Sequence, residues 1–227
     1  MHACVATQVL NNRRTSVTRG PNARCHVHCH AAAVDSCKEV KLQLRDKLRR
    51  VPRLPYEVPE APQQQELHDL IERLEGANPT HDLRNCQDKL AGCWAMLYTT
   101  RTQPDEVRAA LAPLQPHAVY VTIDIWQNGV VKSVEFTEDG KHALPGSLNL
   151  GSDFDWVASS RLALQGKGAA ISSDELRQRL PEDQSVFAAA FAPVGQMEFT
   201  FVDDGLFINR DEKHVYIFEH RTTRVHA

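Results

Sequence analysis

The stretch AVYVTIDIW, residues 118–126, alternates strictly, with Val119, Val121, Ile123 and Ile125 on one side and Tyr120, Thr122, Asp124 and Trp126 on the other. If the Asp124 side faces inward, its carboxylate costs several kcal/mol unless it is paired. Its chemistry would then be that of a polar anchor for a ligand head group, or of acid–base work beside Tyr120. The competing arrangements are an outward face, or an internal bond to Arg161 or Arg210. A second acidic pair, Asp203 and Asp204, sits at a turn, where adjacent carboxylates are ordinarily solvated. The run CHVHCH offers Cys25, His26, His28, Cys29 and His30. Soft metals use such ligands, but the second half of a closed zinc site is missing, so no metal is expected. No nucleophile elbow, zinc-protease motif, phosphate loop or dinucleotide fingerprint occurs, so neither a cofactor nor catalysis is expected.

Strands must position most of these residues. In LAGCWAMLYTT, residues 90–100, Trp94, Met96 and Tyr98 share one face, and Cys93, Ala95 and Leu97 the other. Gly92 lets the strand enter close to other backbone. Near the C-terminus Met197, Phe199 and Phe201 alternate in the same way. These parities nominate Met96, Tyr98, Tyr120, Asp124, Trp126, Arg161, Phe199 and Phe201 as ligand-lining residues. Tyr98, Asp124 or Arg161 would meet the head group.

Between the strands, Asn128-Gly129 predicts a type I′ hairpin with a return strand over 130–137. Asp139-Gly140 marks another turn, and residues 153–165 read as one long strand. Ser172 with Glu175 forms a capping-box pattern for a short helix over 172–180. Ahead of the strands, two stripes predict helices. One is Val40, Leu44, Leu48 and Val51 within 35–51; the other is Leu67, Leu70, Ile71 and Leu74 within 63–75. The proline-rich run VPRLPYEVPEAP separates them as a stiff linker. Two helices followed by many antiparallel strands suit a sandwich or an up-and-down barrel. An eight-stranded barrel holds one small ligand.

The 227 residues, 42% apolar and 24% charged with a net charge of −3, describe one soluble domain with extensions. The charge gives no general attraction to nucleic acid, and none is expected as a partner. No apolar run has the length of a membrane span, so any membrane association is peripheral. Residues 1–34 carry four arginines and no acidic residue, the composition of an organelle transit peptide. Four of the six cysteines (Cys4, Cys25, Cys29 and Cys37) precede the confident helices, which predicts reduced thiols in the body.

Three ordered signatures resemble the plastid lipid-associated proteins, also called plastid fibrillins. They are LIERLEGANPT followed by LAGCWAMLYTT (70–80 and 90–100), VTIDIWQNGVVKSVEF (121–136), and FTFVDDGLFINRDEKHVYIF (199–218). Thr200, Asp203, Leu206, Ile208 and Arg210 match the family's rear pattern in type. Asp211 departs from its usual glycine, and Met96 from its usual leucine. The resemblance implies a mostly β protein: a lipocalin-like antiparallel barrel over about 90–222, two N-terminal helices over about 37–76, and one short late helix. It implies that 1–36 is a chloroplast transit peptide. It also implies a partner that is an apolar lipid (a carotenoid, prenylquinone or fatty acid), bound or organised at a thylakoid or plastoglobule surface. In such barrels a first-strand tryptophan packs under a late arginine, so Gly92, Trp94 and Arg210 are expected to close one end. Two alternatives stand beside this reading. One is an accessory protein that docks an enzyme of prenyl-lipid synthesis through the basic helix 38–51. The other is a lipocalin-type lipid-modifying enzyme.

Overall fold

The computed structural model describes residues 31–51, 61–102, 114–138, 141–180 and 195–221, with isolated positions 105, 109 and 191. The CHVHCH run, most of the proline-rich linker and the Asp139-Gly140 turn lie outside the described residues. The first helix, α1, spans Ala31–Leu48, so a leader boundary at residue 36 falls inside it. The second, α2, spans Ala61–Gly76. Two short 3₁₀ turns, Leu83–Asn85 and Gln87–Lys89, lead into the strands.

Nine strands follow: β1 (Gly92–Thr99), β2 (Leu114–Asp124), β3 (Gly129–Glu138), β4 (His142–Ala143), β5 (Leu148–Ala158), β6 (Arg161–Ile171), β7 (Gly195–Val202), β8 (Leu206–Arg210) and β9 (Val215–His220). The short helix α3 (Asp174–Arg179) joins β6 to the last strands. Neighbouring strands pair antiparallel, β1 pairs with both β2 and β9, and β2 pairs with β3. These pairings close eight strands into a barrel, with β4 a short addition beside β3. Closure decides between the sandwich and the barrel that the strand pattern left open, and it removes the free edges.

Several local expectations change. Residues 153–165 belong to two strands, β5 and β6, which turn at 159–160. The helix α3 is capped by Ser173, whose Oγ accepts from Leu176 N at 3.1 Å; Ser172 Oγ accepts from Ser147 N instead. The β2–β3 hairpin closes on the pair Asp124 and Gly129, which leaves a four-residue loop. Only Asn128 in that loop has positive φ, at 50°, so it is no type I′ turn. Cys86 is buried and disulfide-bonded, contrary to the expectation of reduced thiols.

The core divides into an outer seam, between helices and barrel, and the barrel lumen. The apolar stripes of α1 and α2 cover the outer face of one barrel wall. Val40, Leu44, Leu48, Leu67, Ile71 and Leu74 meet Tyr98, Phe201, Leu206, Ile208, Val215 and Ile217 there. Inside, Trp94, Phe199, Phe207 and Phe218 pack at one end with Leu83 and Leu90. At the other end Val134, Phe136, Leu148 and Leu150 pack with Leu176 of α3 and with Leu180, the residue after it.

Candidate functional site

Two bulges decide which side chains reach the lumen. On β1 the pairing with β9 shifts between Met96 and Tyr98. Met96 therefore packs with the lumen clusters, while Tyr98 is buried under the helices. On β7 the pairing with β8 shifts between Phe199 and Phe201, so Phe199 stays inside and Phe201 lies in the outer seam. The expectation that Tyr98 and Phe201 line a ligand site is thus corrected. One extra residue reverses facing, and strict alternation hid it. Burial at Tyr98 also raises its hydroxyl pKa above the usual 10.

The face of β2 that carries Asp124 looks outward. Val119, Val121 and Ile123 are buried, whereas Tyr120, Thr122 and Asp124 are half-buried and Trp126 is 80% exposed. Asp124 Oδ1 accepts from the backbone amides of Trp126 at 3.0 Å and Gln127 at 3.1 Å. It braces the hairpin loop, an ordinary task for an Asp at a turn, and anchors no lumenal head group. The Tyr120 hydroxyl accepts from Arg221 Nη2 at 3.2 Å, and that guanidinium lies over the tyrosine ring. Arg161, at the start of β6, pairs across strands with Glu198 at 3.0 Å. Tyr120, Asp124, Trp126 and Arg161 are therefore not brought together inside the barrel.

Trp94 is 1% exposed, and its Nε1 donates to Leu90 O at 2.9 Å. It meets Phe207 and His220 edge-on, each at 4.7 Å between ring centroids. Gly92, at φ 124°, lies against His220, where a Cβ would come within 2.9 Å of Nε2. Arg210 does not stack on Trp94. On β9, Trp94 pairs with His220, while the partner of Arg210 is Val215 at the other end of that strand. Arg210 instead grips Glu75 of α2 through Nε at 2.7 Å and Nη2 at 2.9 Å. That hydrogen bonding raises its already high pKa.

The residues around this grip explain two of the sequence signatures. Thr200 Oγ1 donates to Glu75 Oε1 at 2.6 Å. Asn78 Oδ1 accepts from Val202 N at 3.1 Å and from Thr80 N at 3.0 Å. Asp203 Oδ1 accepts from the amides of Gly205 and Leu206, and Lys41 of α1 pairs with its other oxygen. Glu75, Asn78, Thr200, Asp203 and Arg210 thus latch the helices to the barrel. Basic residues of α1 and of the turn after it pair within the chain: Arg45 with Glu219 at 2.8 Å, Lys47 with Glu66, and Arg50 with Asp46 at 2.7 Å.

The lumen holds polar groups that sequence reasoning missed. On β3, Val130, Lys132, Val134 and Phe136 share the buried face. Lys132 stands opposite Val121 of β2 and Leu150 of β5 and is only 9% exposed. Burial, and then the nearby Arg101 charge, push its pKa down to about 7. Asn209 of β8 is 1% exposed, and its Oδ1 has no hydrogen-bond partner among the described residues. Its register partners are the lumenal residues Phe199 and Tyr216. Tyr216 donates to Asp211 Oδ2 at 2.7 Å; burial first, and that bond second, raise the Tyr216 pKa. Partial burial pushes the Asp211 carboxyl up, but hydrogen bonds from Tyr216 and from the amides of Lys213 and His214 outweigh it and hold it low. The signal for Lys132 was present in VVKSVEF: a lysine in phase with Val130, Val134 and Phe136.

The described residues form a closed antiparallel barrel with an apolar lumen, a few buried polar groups and a helical pair on one flank. The family model PAP_fibrillin matches residues 38–219, and the chain belongs to that plastid lipid-associated family. No curated protein matches the chain.

Proposed function

We propose that the protein associates with plastid lipids by taking an apolar chain, such as that of a carotenoid, prenylquinone or fatty acid, into the barrel lumen. On this reading it works at a thylakoid or plastoglobule surface as a binding protein and catalyses no reaction. The observation that carries the proposal is the lumen wall. Met96, Val121, Val134, Leu150 and Phe199 present hydrocarbon, yet the largely buried Lys132 and the unpartnered Asn209 Oδ1 stand among them. A core built only to fill space gains nothing from such groups. Burying a lipid chain yields about 25 cal/mol per Å² of apolar area, which offsets ordering costs for a tail of a few hundred Å².

The test is titration of a fluorescent polyene fatty acid or prenylquinone analogue into the full chain. Saturable one-to-one binding that Met96→Trp weakens supports a lumenal site. Binding that needs bilayers or droplets, and that Met96→Trp leaves unchanged, overturns it.

A further inference from the structure

Lys132 has no role in the latch, in the turns or in any ion pair. Its ammonium makes no hydrogen bond or salt bridge among the described residues, although it is nine-tenths buried. The carboxylates on the adjoining strands are placed away from it. Asp124 and Glu135 sit on the outward parity of β2 and β3, as do Asp153 and Asp155 on β5. Asp153 pairs with Lys167, and Glu138 at the end of β3 pairs with Arg179 at 2.8 Å. Asp211 takes the Tyr216 hydroxyl. Among the described residues, the charged group that acts on Lys132 is another cation, Arg101, which also acts on Tyr216.

Arg101 acts on Lys132 as a like charge, and the buried lysine has no countercharge among the described residues. β3 and β8 stand four strands apart in either direction around the eight-strand ring, so Lys132 and Asn209 face inward from opposite walls. From this geometry we propose that the lipid bound in the lumen carries an anionic head group, and that Lys132 supplies its countercharge with Arg101 alongside. The inference rests on the lumenal reading above and narrows it. Among lipids of equal chain length, the acid is selected over the alcohol. A carboxylate and a phosphate share the required chemistry, and both are single small anions that a lysine ammonium can meet as a point charge. With the anion in place, the lysine is paired and hydrogen-bonded, the condition under which a buried charge persists.

The experiment compares three ligands of similar chain length on the full-length protein: a long-chain carboxylic acid, its alcohol, and a long-chain monophosphate. Each is measured by displacement of one fluorescent polyene probe. Wild type should bind the acid or the phosphate at least about tenfold more tightly than the alcohol. Lys132→Met should remove that preference, and Lys132→Arg should retain part of it. Melting curves confirm that both variants fold. Preference for the acid alone assigns a carboxylate head, and preference for the phosphate assigns a phosphate head. Equal binding of acid and alcohol by wild type, or an acid preference that survives Lys132→Met, overturns the anion assignment while leaving the lumenal site intact. Saturable binding of none of the three ligands overturns the lumenal reading itself, and the anion assignment falls with it.

Discussion

The outer seam and the lumen share the strands β7 to β9 but treat polar groups in opposite ways. In the seam, the polar side chains that join helices to barrel are partnered, although Arg45 of α1 reaches Glu219 through Nη2 and its buried Nε has no acceptor among the described residues. Glu75 takes Arg210 and Thr200, Asn78 takes two amides, and Asp203 takes two amides and Lys41. In the lumen, Lys132 has no partner, and neither Asn209 Oδ1 nor Trp156 Nε1 is hydrogen-bonded among the described residues. A satisfied network fixes geometry, because breaking it exposes a desolvated partner. An unsatisfied group lowers stability until something binds it. The seam therefore reads as architecture and the lumen as a place awaiting a ligand.

The largest expected effect comes from removing the lumen's unpaired cation. Lys132→Met should stabilise the ligand-free protein by about 2–4 kcal/mol near pH 7, because each pKa unit of depression corresponds to about 1.4 kcal/mol. The pH dependence has a definite sign. The folded pKa of about 7 lies below the ordinary 10.5, so between those values the unfolded chain binds more protons than the folded one. Wild-type stability should therefore climb with pH through that window, and the penalty should be fully present below it. Chemical denaturation at about pH 6.5 and pH 9.5 measures this. The wild-type deficit relative to Lys132→Met should shrink at the higher pH. An equal deficit at both would show that the lysine is not desolvated.

In the seam the sign reverses. Glu75→Ala leaves Arg210 without its carboxylate, and Thr200 with only the Ile208 carbonyl at 3.3 Å, and should destabilise by about 1–3 kcal/mol. The value sits below that of a fully buried pair because the Arg210 side chain is 31% exposed. Thermal or denaturant melts should show the loss, and alcohol binding in the lumen should persist at temperatures where the variant is folded. A variant that melts normally but binds no lipid would erase the distinction between the two regions.

The sequence made the elements legible and the facing of their side chains only partly so. The stripes of α1 and α2 lie where their spacing predicts, and the closing strands appear in order. The resemblance marks Thr200, Asp203 and Arg210 in the rear signature, and Glu75 and Asn78 lie within the front one. Only three-dimensional contact shows that the front and rear signatures hold each other. Parity failed at Tyr98 and Phe201 because a bulge inserts one residue, and neither bulge carries a glycine to announce it. At Asp124 parity alone left both facings open, and the outward one holds, because Val119, Val121 and Ile123 are the side that the barrel buries. Lys132 was overlooked because a lysine in a strand usually faces water, while here its phase matches the valines.

Asp124 gives the smallest expected effect and the sharpest contrast with Lys132, since both are charged residues in the same hairpin. Lys132 points into the lumen, whereas Asp124 points out and holds the loop through the amides of Trp126 and Gln127. Asp124→Ala removes both acceptor contacts at a half-exposed site, so the freed amides can turn to water. The loss should be about 0.5–1.5 kcal/mol, comparable to deleting a cap. Asn128, held at positive φ, keeps the loop's path, so the β2–β3 register should survive. Affinity for a long-chain acid, measured with the same displacement probe, should stay within about twofold of wild type, a difference of roughly 0.4 kcal/mol. A tenfold loss of acid binding by a folded Asp124→Ala protein would place the ligand's polar end at the hairpin tip and remove the reason for assigning it to Lys132.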